Sequence, residues 1–168
     1  LSEREVLTEI FPDNEEGTWT KHVQLGLWAD LFVVAPATAQ TLAKMAHGFS
    51  DSMLTATVLA ARCPLLLAPA MDHDMYLHPA TQANLERLKG FGYAIMQPGY
   101  GALASGLVGH GRMPEPEEIV ARIVEMVTTT ADKATRSGLL TGKHVLVTAG
   151  PTREPIDPVR VVTNHSTG

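Results

Sequence analysis

The chain has 168 residues, 45% of them hydrophobic, and a formal net charge of -5 at pH 7, which is typical of a globular protein and excludes a disordered one. No stretch approaches the roughly 18 apolar residues of a membrane span, and no apolar run follows a charged start. We therefore expect a cytoplasmic protein with no membrane partner. The only cysteine, Cys63, excludes an intrachain disulfide or a thiolate metal site. The lack of a basic cluster argues against a nucleic-acid partner, and we predict no metal-ligating residues.

Short apolar runs alternate with helix-like patterns along the chain, which predicts βα units and a parallel sheet. The run from Leu31 to Ala35 is apolar throughout, as expected for a strand that is covered on both faces. We expect this strand to end at Pro36, because proline cannot donate a ladder hydrogen bond. Further strands are predicted over residues 64–68 and 93–96. The predicted fold class is α/β, a Rossmann-like (flavodoxin-like) parallel sheet flanked by helices in three layers.

Helices are predicted between these strands. Thr38 can cap a helix that runs to His47, and Gly48 can end it. Further helices are expected over residues 51–61, 79–88 and 115–126, the last with acidic residues in its first turn.

The segment that follows is polar, weakly patterned and rich in small residues, which is typical of a linker. We therefore predict a first domain over residues 1–128, a linker over 129–141 and the start of a second domain over 142–168, opening with a strand from His144 to Thr148. Leu1 to Phe11 reads as the tail of a helix and a turn, and the chain stops within a motif at Gly168. We expect a fragment of a longer protein.

Candidate binding segments follow the predicted strands, because open α/β sheets bind ligands beyond the carboxyl ends of their strands. The segment from Ala35 to Thr41 could hold a phosphate or a flavin edge, or could simply be a capped helix. The segment from Ala68 to Met75 is either a polar binding loop or a turn with core methionines. The glycine-rich loop from Gly99 to Met113 is either a mobile lid or a plain surface loop. His22, before a helix-like run, is by itself more typical of an ordinary surface or core histidine.

Taken in order, these segments resemble the family of flavin-containing cysteine decarboxylases, to which bacterial phosphopantothenoylcysteine decarboxylase belongs. Pro36 to Thr41 resembles the flavin-binding motif of the family, and Pro69 to Met75 resembles its substrate motif. The loop that ends at Met113 resembles the flap that closes over substrate. Thr148 to Gly168 is similar to the opening of a phosphopantothenate-cysteine ligase domain that is fused to this decarboxylase in bacteria.

The resemblance implies FMN-dependent decarboxylation of phosphopantothenoylcysteine to phosphopantetheine in coenzyme A biosynthesis. FMN would accept a hydride from the substrate, carbon dioxide would leave, and reduced flavin would return the hydride. The fused ligase would use CTP and Mg²⁺, for which this chain holds too little of the domain. The residues implied are His22 and Ser105 as catalytic, Met71, Asp72, Ala104 and Arg112 as substrate-binding, and Thr38, Ala39, Gln40, Thr41 and Ala70 as cofactor-binding.

Two positions depart from the family pattern. Asp72 stands where the common motif has asparagine, and an ionised aspartate can only accept hydrogen bonds. We expect Asp72 either to be protonated on burial or to be offset by a flap cation such as Arg112. Ser105 stands where many members carry a reactive cysteine, and because a hydroxyl is the weaker acid, proton delivery must be slower or come from elsewhere, with His110 a nearby candidate.

Other functions remain open at this point. A non-catalytic flavin-binding regulatory subunit keeps the fold, and the two departures could mark lost chemistry, although His22 argues against it. A peptidyl-cysteine decarboxylase or a flavin prenyltransferase is a third possibility. The resemblance also implies a homo-oligomer, a trimer or a trimer-based dodecamer, in which His22 would serve the flavin of a neighbouring subunit.

Overall fold

The computed structural model describes Leu7, Ile10, residues 20–129 and residues 142–148, together with the backbone of residues 153–155 and 161–163. The predictions for Leu1 to Phe11 and for the linker after Thr129 therefore fall largely outside the described residues. The elements in chain order are α1 (Lys21–Trp28), β1 (Leu31–Ala37), α2 (Ala39–His47), α3 (Met53–Ala60), β2 (Leu65–Pro69), α4 (His73–Leu77), α5 (Pro79–Gly90), β3 (Ala94–Ile95), β4 (Gly99–Ala102), β5 (Val108–Arg112), α6 (Pro116–Thr129), β6 (Val145–Thr148), β7 (Arg153–Pro155) and β8 (Val161–Thr163).

A four-stranded sheet with the order β3-β2-β1-β6 forms the centre of the molecule, and each of its neighbouring pairs is parallel. β1 lies inside the sheet, with Val33 opposite Leu66 of β2 and Val147 of β6. The predicted α/β class with a parallel sheet is confirmed. Two antiparallel pairs, β4 with β5 and β7 with β8, lie apart from this sheet.

Alternate residues of β1 enter two cores, one on each face of the sheet, as the pleat of a strand requires. Phe32 and Val34 join the core formed with α2 and α5, whereas Leu31 and Val33 join the core formed with α6. All four side chains are at most 1% exposed, so each contributes about 1.5–3 kcal/mol of burial free energy. The helices therefore cover both faces, and the three-layer prediction is confirmed.

The end of β1 differs from the prediction. The strand does not stop at Pro36 but continues to Ala37. The pairing register with β2 shifts between Val34 and Ala37, so that three steps along β1 match two along β2. Pro36 lies within this irregular step, where no regular ladder bond is required of it, which explains why the strand tolerates a proline there.

The strand predicted to open a second domain, β6, pairs with β1 in the central sheet. The backbone N–H of His144 donates to the Asp30 carboxylate at 2.8 Å, and the Asp30 N–H donates to the His144 carbonyl at 2.8 Å. The His144 ring also stacks on Trp28, with ring centroids 4.4 Å apart. The proposed domain boundaries stay a prediction, but this strand shares its hydrogen bonds with the first domain.

Two further elements were not predicted as such. The glycine-rich segment forms the antiparallel hairpin of β4 and β5 rather than an irregular loop. The end of the predicted substrate segment starts a short helix, α4. Among the residues described, no helix combines the length and apolar character needed to cross a lipid bilayer.

Candidate functional site

The carboxyl ends of β1 and β2 lie side by side and bring the two strand-end motifs together. Ala37 stands opposite Pro69 in the register, and the N–H of Ala70 donates to the Ala37 carbonyl at 3.1 Å. Since Thr38 follows directly on Ala37, the predicted cofactor contacts at the start of α2 and at Ala70 fall in one place. This is the edge of a parallel sheet at which ligands bind.

The start of α2 is an ordered, capped helix N-terminus. The Thr38 hydroxyl accepts a hydrogen bond from the Thr41 N–H at 3.2 Å, and the two hydroxyl oxygens are 3.0 Å apart. The N–H groups of Ala39 and Gln40 belong to the first turn, which has no partners within the helix, and they carry the positive end of the helix dipole. The arrangement suits an anionic or hydrogen-bond-accepting ligand edge, and Thr38 and Thr41 are half-buried.

The flap, which we define as the hairpin from Gly99 to Arg112, lies against the segment that follows β2. The Met71 N–H donates to the Gly111 carbonyl at 3.0 Å, and the His110 N–H donates to Nδ1 of His73 at 3.1 Å. A Cβ atom at Gly109 would lie 2.6 Å from the ring of His73, so the flap fits closely only because that position has no side chain. The predicted substrate segment and the predicted flap are therefore in direct contact.

Asp72 and Ser105, the two departures from the family pattern, are hydrogen-bonded to each other. The Ser105 hydroxyl donates to Oδ2 of Asp72. The Ser105 oxygen also accepts from the Leu107 N–H at 3.4 Å, within the turn of the flap. Asp72 is half-buried and Ser105 is exposed, so the pair faces solvent from the seam between the flap and the segment after β2.

Arg112 and Ala104 also lie on the flap, but among the described residues neither forms a hydrogen bond or an ion pair with Asp72. The Arg112 guanidinium pairs with Glu115 at 3.3 Å. Its side chain lies beside Gly101, where a Cβ atom would be 3.0 Å from Cδ of Arg112. Ala104 is exposed in the flap turn. In this structure the partner of Asp72 is thus a hydroxyl, and the cation expected to offset its charge is engaged with another carboxylate.

His22 lies within α1 and not before it, because the helix begins at Lys21. Its Nδ1 atom is buried and has no hydrogen-bond partner among the described residues. Helix α1 ends at Trp28, with two residues between it and the start of β1 at Leu31. No hydrogen bond or ion pair within residues 20–129 joins His22 to the strand-end motifs or to the flap. The buried Thr148 hydroxyl, opposite Val34 near the same edge, is likewise unpartnered in the described part of the chain.

Sequence reasoning missed the role of His73. Its ring receives the His110 N–H and fills the space that Gly109 leaves open, so it seats the flap. His73 and His110 are 37 residues apart in sequence, and no local pattern signals such a contact. Tyr76 was missed for the same reason, and its hydroxyl donates to the Gln97 side chain at 3.1 Å.

The residues at the carboxyl edge of the sheet fit a bound flavin. The edge offers first-turn N–H groups, two threonine hydroxyls and an unpartnered buried hydroxyl at Thr148, which are suitable groups for the polar rim of such a ring or for a phosphate. The flap lies over the segment after β2. Among the described residues, no hydrogen bond joins the flap to the start of α2.

Comparison with known proteins agrees with this geometry. The Flavoprotein family profile matches residues 1–128, and the profile described as DNA/pantothenate metabolism flavoprotein C-terminal domain matches residues 140–168. The whole chain is 52% identical to a cysteine/cysteine sulfinic acid decarboxylase from an unknown prokaryotic organism, of which it covers 46%. It is 48% identical to the coenzyme A biosynthesis bifunctional protein CoaBC of Bacillus subtilis, of which it covers 40%. The chain thus spans less than half the length of these relatives.

Solved structures give the same result. A PPC decarboxylase mutant complexed with pantothenoylaminoethenethiol has a TM-score of 0.62 and 38% identity, over 66% of this chain and 62% of that one. The FMN-dependent cysteine decarboxylase SpaF has a TM-score of 0.58 and 38% identity, over 71% of this chain and 64% of that one. With its first 128 residues matched by the family profile, the chain belongs to the flavoprotein family.

Proposed function

We propose that the protein is an FMN-dependent decarboxylase that converts phosphopantothenoylcysteine to phosphopantetheine in coenzyme A biosynthesis. The observation that carries the proposal is the meeting of the start of α2, Ala70 and the flap at one edge of the sheet. The identity to CoaBC over the whole chain supports this substrate. The match at residues 140–168 supports a fused phosphopantothenate-cysteine ligase in the longer protein, with CTP and Mg²⁺ as its cofactors, and agrees with a second domain that starts near residue 142.

Bound FMN supplies the acceptor and later the donor of a hydride, which is chemistry that side chains cannot perform. The residues of the chain bind and orient. Thr38 to Thr41 and Ala70 hold the cofactor at the end of β1, and Met71 and Asp72 meet the substrate under the flap. Ala104 and Arg112 complete that cover, which excludes water from the reacting atoms.

His22 is the proposed proton-transfer residue outside the flap. Its buried, unpartnered Nδ1 supports this role, because an orphaned buried nitrogen costs about 1–3 kcal/mol unless a ligand or a partner group satisfies it. We propose that the protein assembles in the cytoplasm as a trimer or a trimer-based dodecamer. In this assembly, the group that pairs with Nδ1 of His22 belongs to a neighbouring subunit or to its flavin.

A second candidate substrate is free cysteine or cysteine sulfinic acid. The 52% identity to a decarboxylase named for these compounds favours it. So does Asp72, because a carboxylate can accept hydrogen bonds from the free α-ammonium group of cysteine, which is acylated in phosphopantothenoylcysteine. Free cysteine shares the flavin chemistry with phosphopantothenoylcysteine, because both carry a thiol, and the two differ in what the Asp72 side of the site must accommodate. Cysteine sulfinic acid has no thiol and would have to lose carbon dioxide by another route.

The test uses the full-length protein. We expect a flavin absorbance spectrum in the purified protein and release of carbon dioxide from phosphopantothenoylcysteine. Faster release from free cysteine or cysteine sulfinic acid would favour the second candidate instead. A protein that binds FMN but decarboxylates none of these compounds would act as a regulatory subunit, and one that neither contains nor takes up FMN would overturn the proposal.

A further inference from the structure

The contact between Asp72 and Ser105 joins two positions that sequence analysis treated as independent departures. Asp72 occupies the N-cap position of α4, where an aspartate ordinarily accepts a hydrogen bond from the first turn of the helix. It makes no such bond and accepts from the Ser105 hydroxyl instead. The Asp72 carboxylate is thus hydrogen-bonded to Ser105 of the flap and not to the first turn of α4.

A serine hydroxyl alone is poorly suited to acid-base work. It is a far weaker acid than a thiol, whose pKa is about 8.5, and it needs an adjacent base to be activated. Asp72 is such a base, in direct contact. Other titratable or charged groups at the seam are occupied or turned elsewhere: His73 binds the His110 N–H, and Arg112 pairs with Glu115. His110 is exposed and packs edge-on to Tyr100 at 5.1 Å, and Asp74 is exposed in the first turn of α4.

We propose that Asp72 and Ser105 form one acid-base unit, in which Asp72 supplies the proton affinity that the hydroxyl lacks. As the substrate thiol loses its proton to the Ser105 oxygen, the Ser105 proton passes to Asp72. FMN, the oxidant of the proposed function on which this inference rests, would take the hydride from the carbon that bears the sulfur. After carbon dioxide leaves, the proton returns from Asp72 through Ser105 to the carbon that lost the carboxyl group. Reduced FMN would return the hydride to the carbon that bears the sulfur, and the product thiolate would take a proton from water. Ser105 exchanges the proton with the substrate, and Asp72, which also lines the substrate site of the proposed function, holds that proton.

The unit predicts that the two positions are energetically coupled, since a thiol at position 105 carries its own acidity and no longer needs Asp72. We test this in the full-length flavoprotein with Asp72→Asn, Ser105→Cys and the double variant. Asp72→Asn should lower carbon dioxide release by about 100-fold or more when Ser105 is present. In the Ser105→Cys background the same change should cost less than about 3-fold.

A second readout does not depend on turnover. The thiol introduced by Ser105→Cys should have a higher pKa with Asp72 present than with Asp72→Asn, because the neighbouring carboxylate disfavours the thiolate. The rate of iodoacetamide alkylation against pH measures this difference. Glu86→Gln, which removes an exposed carboxylate on α5, outside the flap and the segment after β2, is the control and should change neither the alkylation profile nor turnover.

The outcomes separate this inference from the proposed function. Equal losses on Asp72→Asn in both backgrounds, or alkylation profiles that coincide, would overturn the acid-base unit while leaving the decarboxylase intact. An FMN-loaded wild-type protein that releases no carbon dioxide from any cysteine substrate would overturn the proposed function, and the acid-base unit with it.

Discussion

The backbone N–H of Met71 donates a hydrogen bond to the carbonyl of Gly111, with an N···O distance of 3.0 Å. This bond links the segment after β2 to the last strand of the flap. Gly111 has a φ angle of +148°, and a Cβ atom at this position would overlap the Met71 carbonyl oxygen. The seating of the flap therefore depends on a glycine with an unusual backbone conformation.

Gly111→Ala should displace the flap from its seat. We expect carbon dioxide release to fall by at least about 10-fold, because misplacement of a closing element by about 1 Å is enough for such losses. Gly99→Ala is the control within the same hairpin, since its Cβ atom would make an ordinary contact 3.6 Å from the Cβ of Arg112. Steady-state turnover of both variants checks the prediction, and equal activity would contradict it.

Thr38→Ala should weaken FMN binding and also cost about 1 kcal/mol of stability, the usual loss for a helix N-cap. Ser52→Ala is a matched control, because Ser52 caps α3 through the Thr55 N–H at 3.2 Å, away from the strand-end motifs. It should cost a similar free energy of unfolding and leave FMN affinity unchanged. Urea unfolding and fluorescence titration of flavin-stripped protein measure the two effects. Equal FMN affinity in both variants would remove Thr38 from the cofactor site.

His22→Asn should lower the rate of decarboxylation by about 10²-fold to 10⁴-fold, the range for loss of a positioned proton-transfer group. No hydrogen bond within the described part of the chain is lost, because Nδ1 of His22 makes none there. His47→Gln is the control: this exposed histidine bonds the Ala43 carbonyl of its own helix at 2.9 Å and no other described residue, and its loss should leave turnover unchanged. A fully active His22→Asn enzyme would contradict the assignment.

The ion pair between Lys44 and Asp51, 2.8 Å apart, should make a small pH-dependent contribution to stability. The pKa of Asp51 is lowered below 3.8, and the main cause is the hydrogen bond that its carboxylate accepts from Lys44. A lowered pKa means that the contribution is present above 3.8 and is lost as the pH falls through the folded-state value. Because Asp51 is largely exposed, Asp51→Asn should cost no more than about 1 kcal/mol at neutral pH.

Urea unfolding of wild type and Asp51→Asn, at neutral pH and well below pH 3.8, checks this sign. The difference should shrink in acid and in high salt. Glu86→Gln, which removes the exposed Glu86–Lys89 pair, should have a smaller effect, because both of its side chains are at least 46% exposed. If the difference in unfolding free energy between wild type and Asp51→Asn grows in acid, the pKa of Asp51 is not lowered by folding.

The elements with a strong local pattern were predicted well. β1 is apolar because both faces are covered, and Thr38 and Gly48 mark the limits of α2 in sequence and in structure alike. Glu115 to Met126 was expected as a helix, and α6 covers residues 116–129. The continuation of β1 past Pro36 could not be foreseen, because it depends on a register shift against a neighbouring strand.

The site was predictable in its parts and not in its contacts. Sequence motifs named Asp72 and Ser105, but their hydrogen bond spans 33 residues and arises only when the flap folds as a hairpin. The pairing of Arg112 with Glu115 instead of Asp72 depends on where α6 begins beside the flap. Such long-range relations are set by packing, for which single-chain patterns carry no signal.

Helix α1 carries His22 and rests on α3 at a point of direct backbone contact. A Cβ atom at Gly26 would lie 2.7 Å from the backbone of Ala60, so every larger residue must push the two helices apart. Gly90, which has nothing within 4 Å, is free of that restriction. In a saturation library selected for growth, we expect position 26 to accept only glycine and position 90 to accept many residues. The range of residues accepted at position 26 would then measure how strictly function depends on the position of α1 and of its His22.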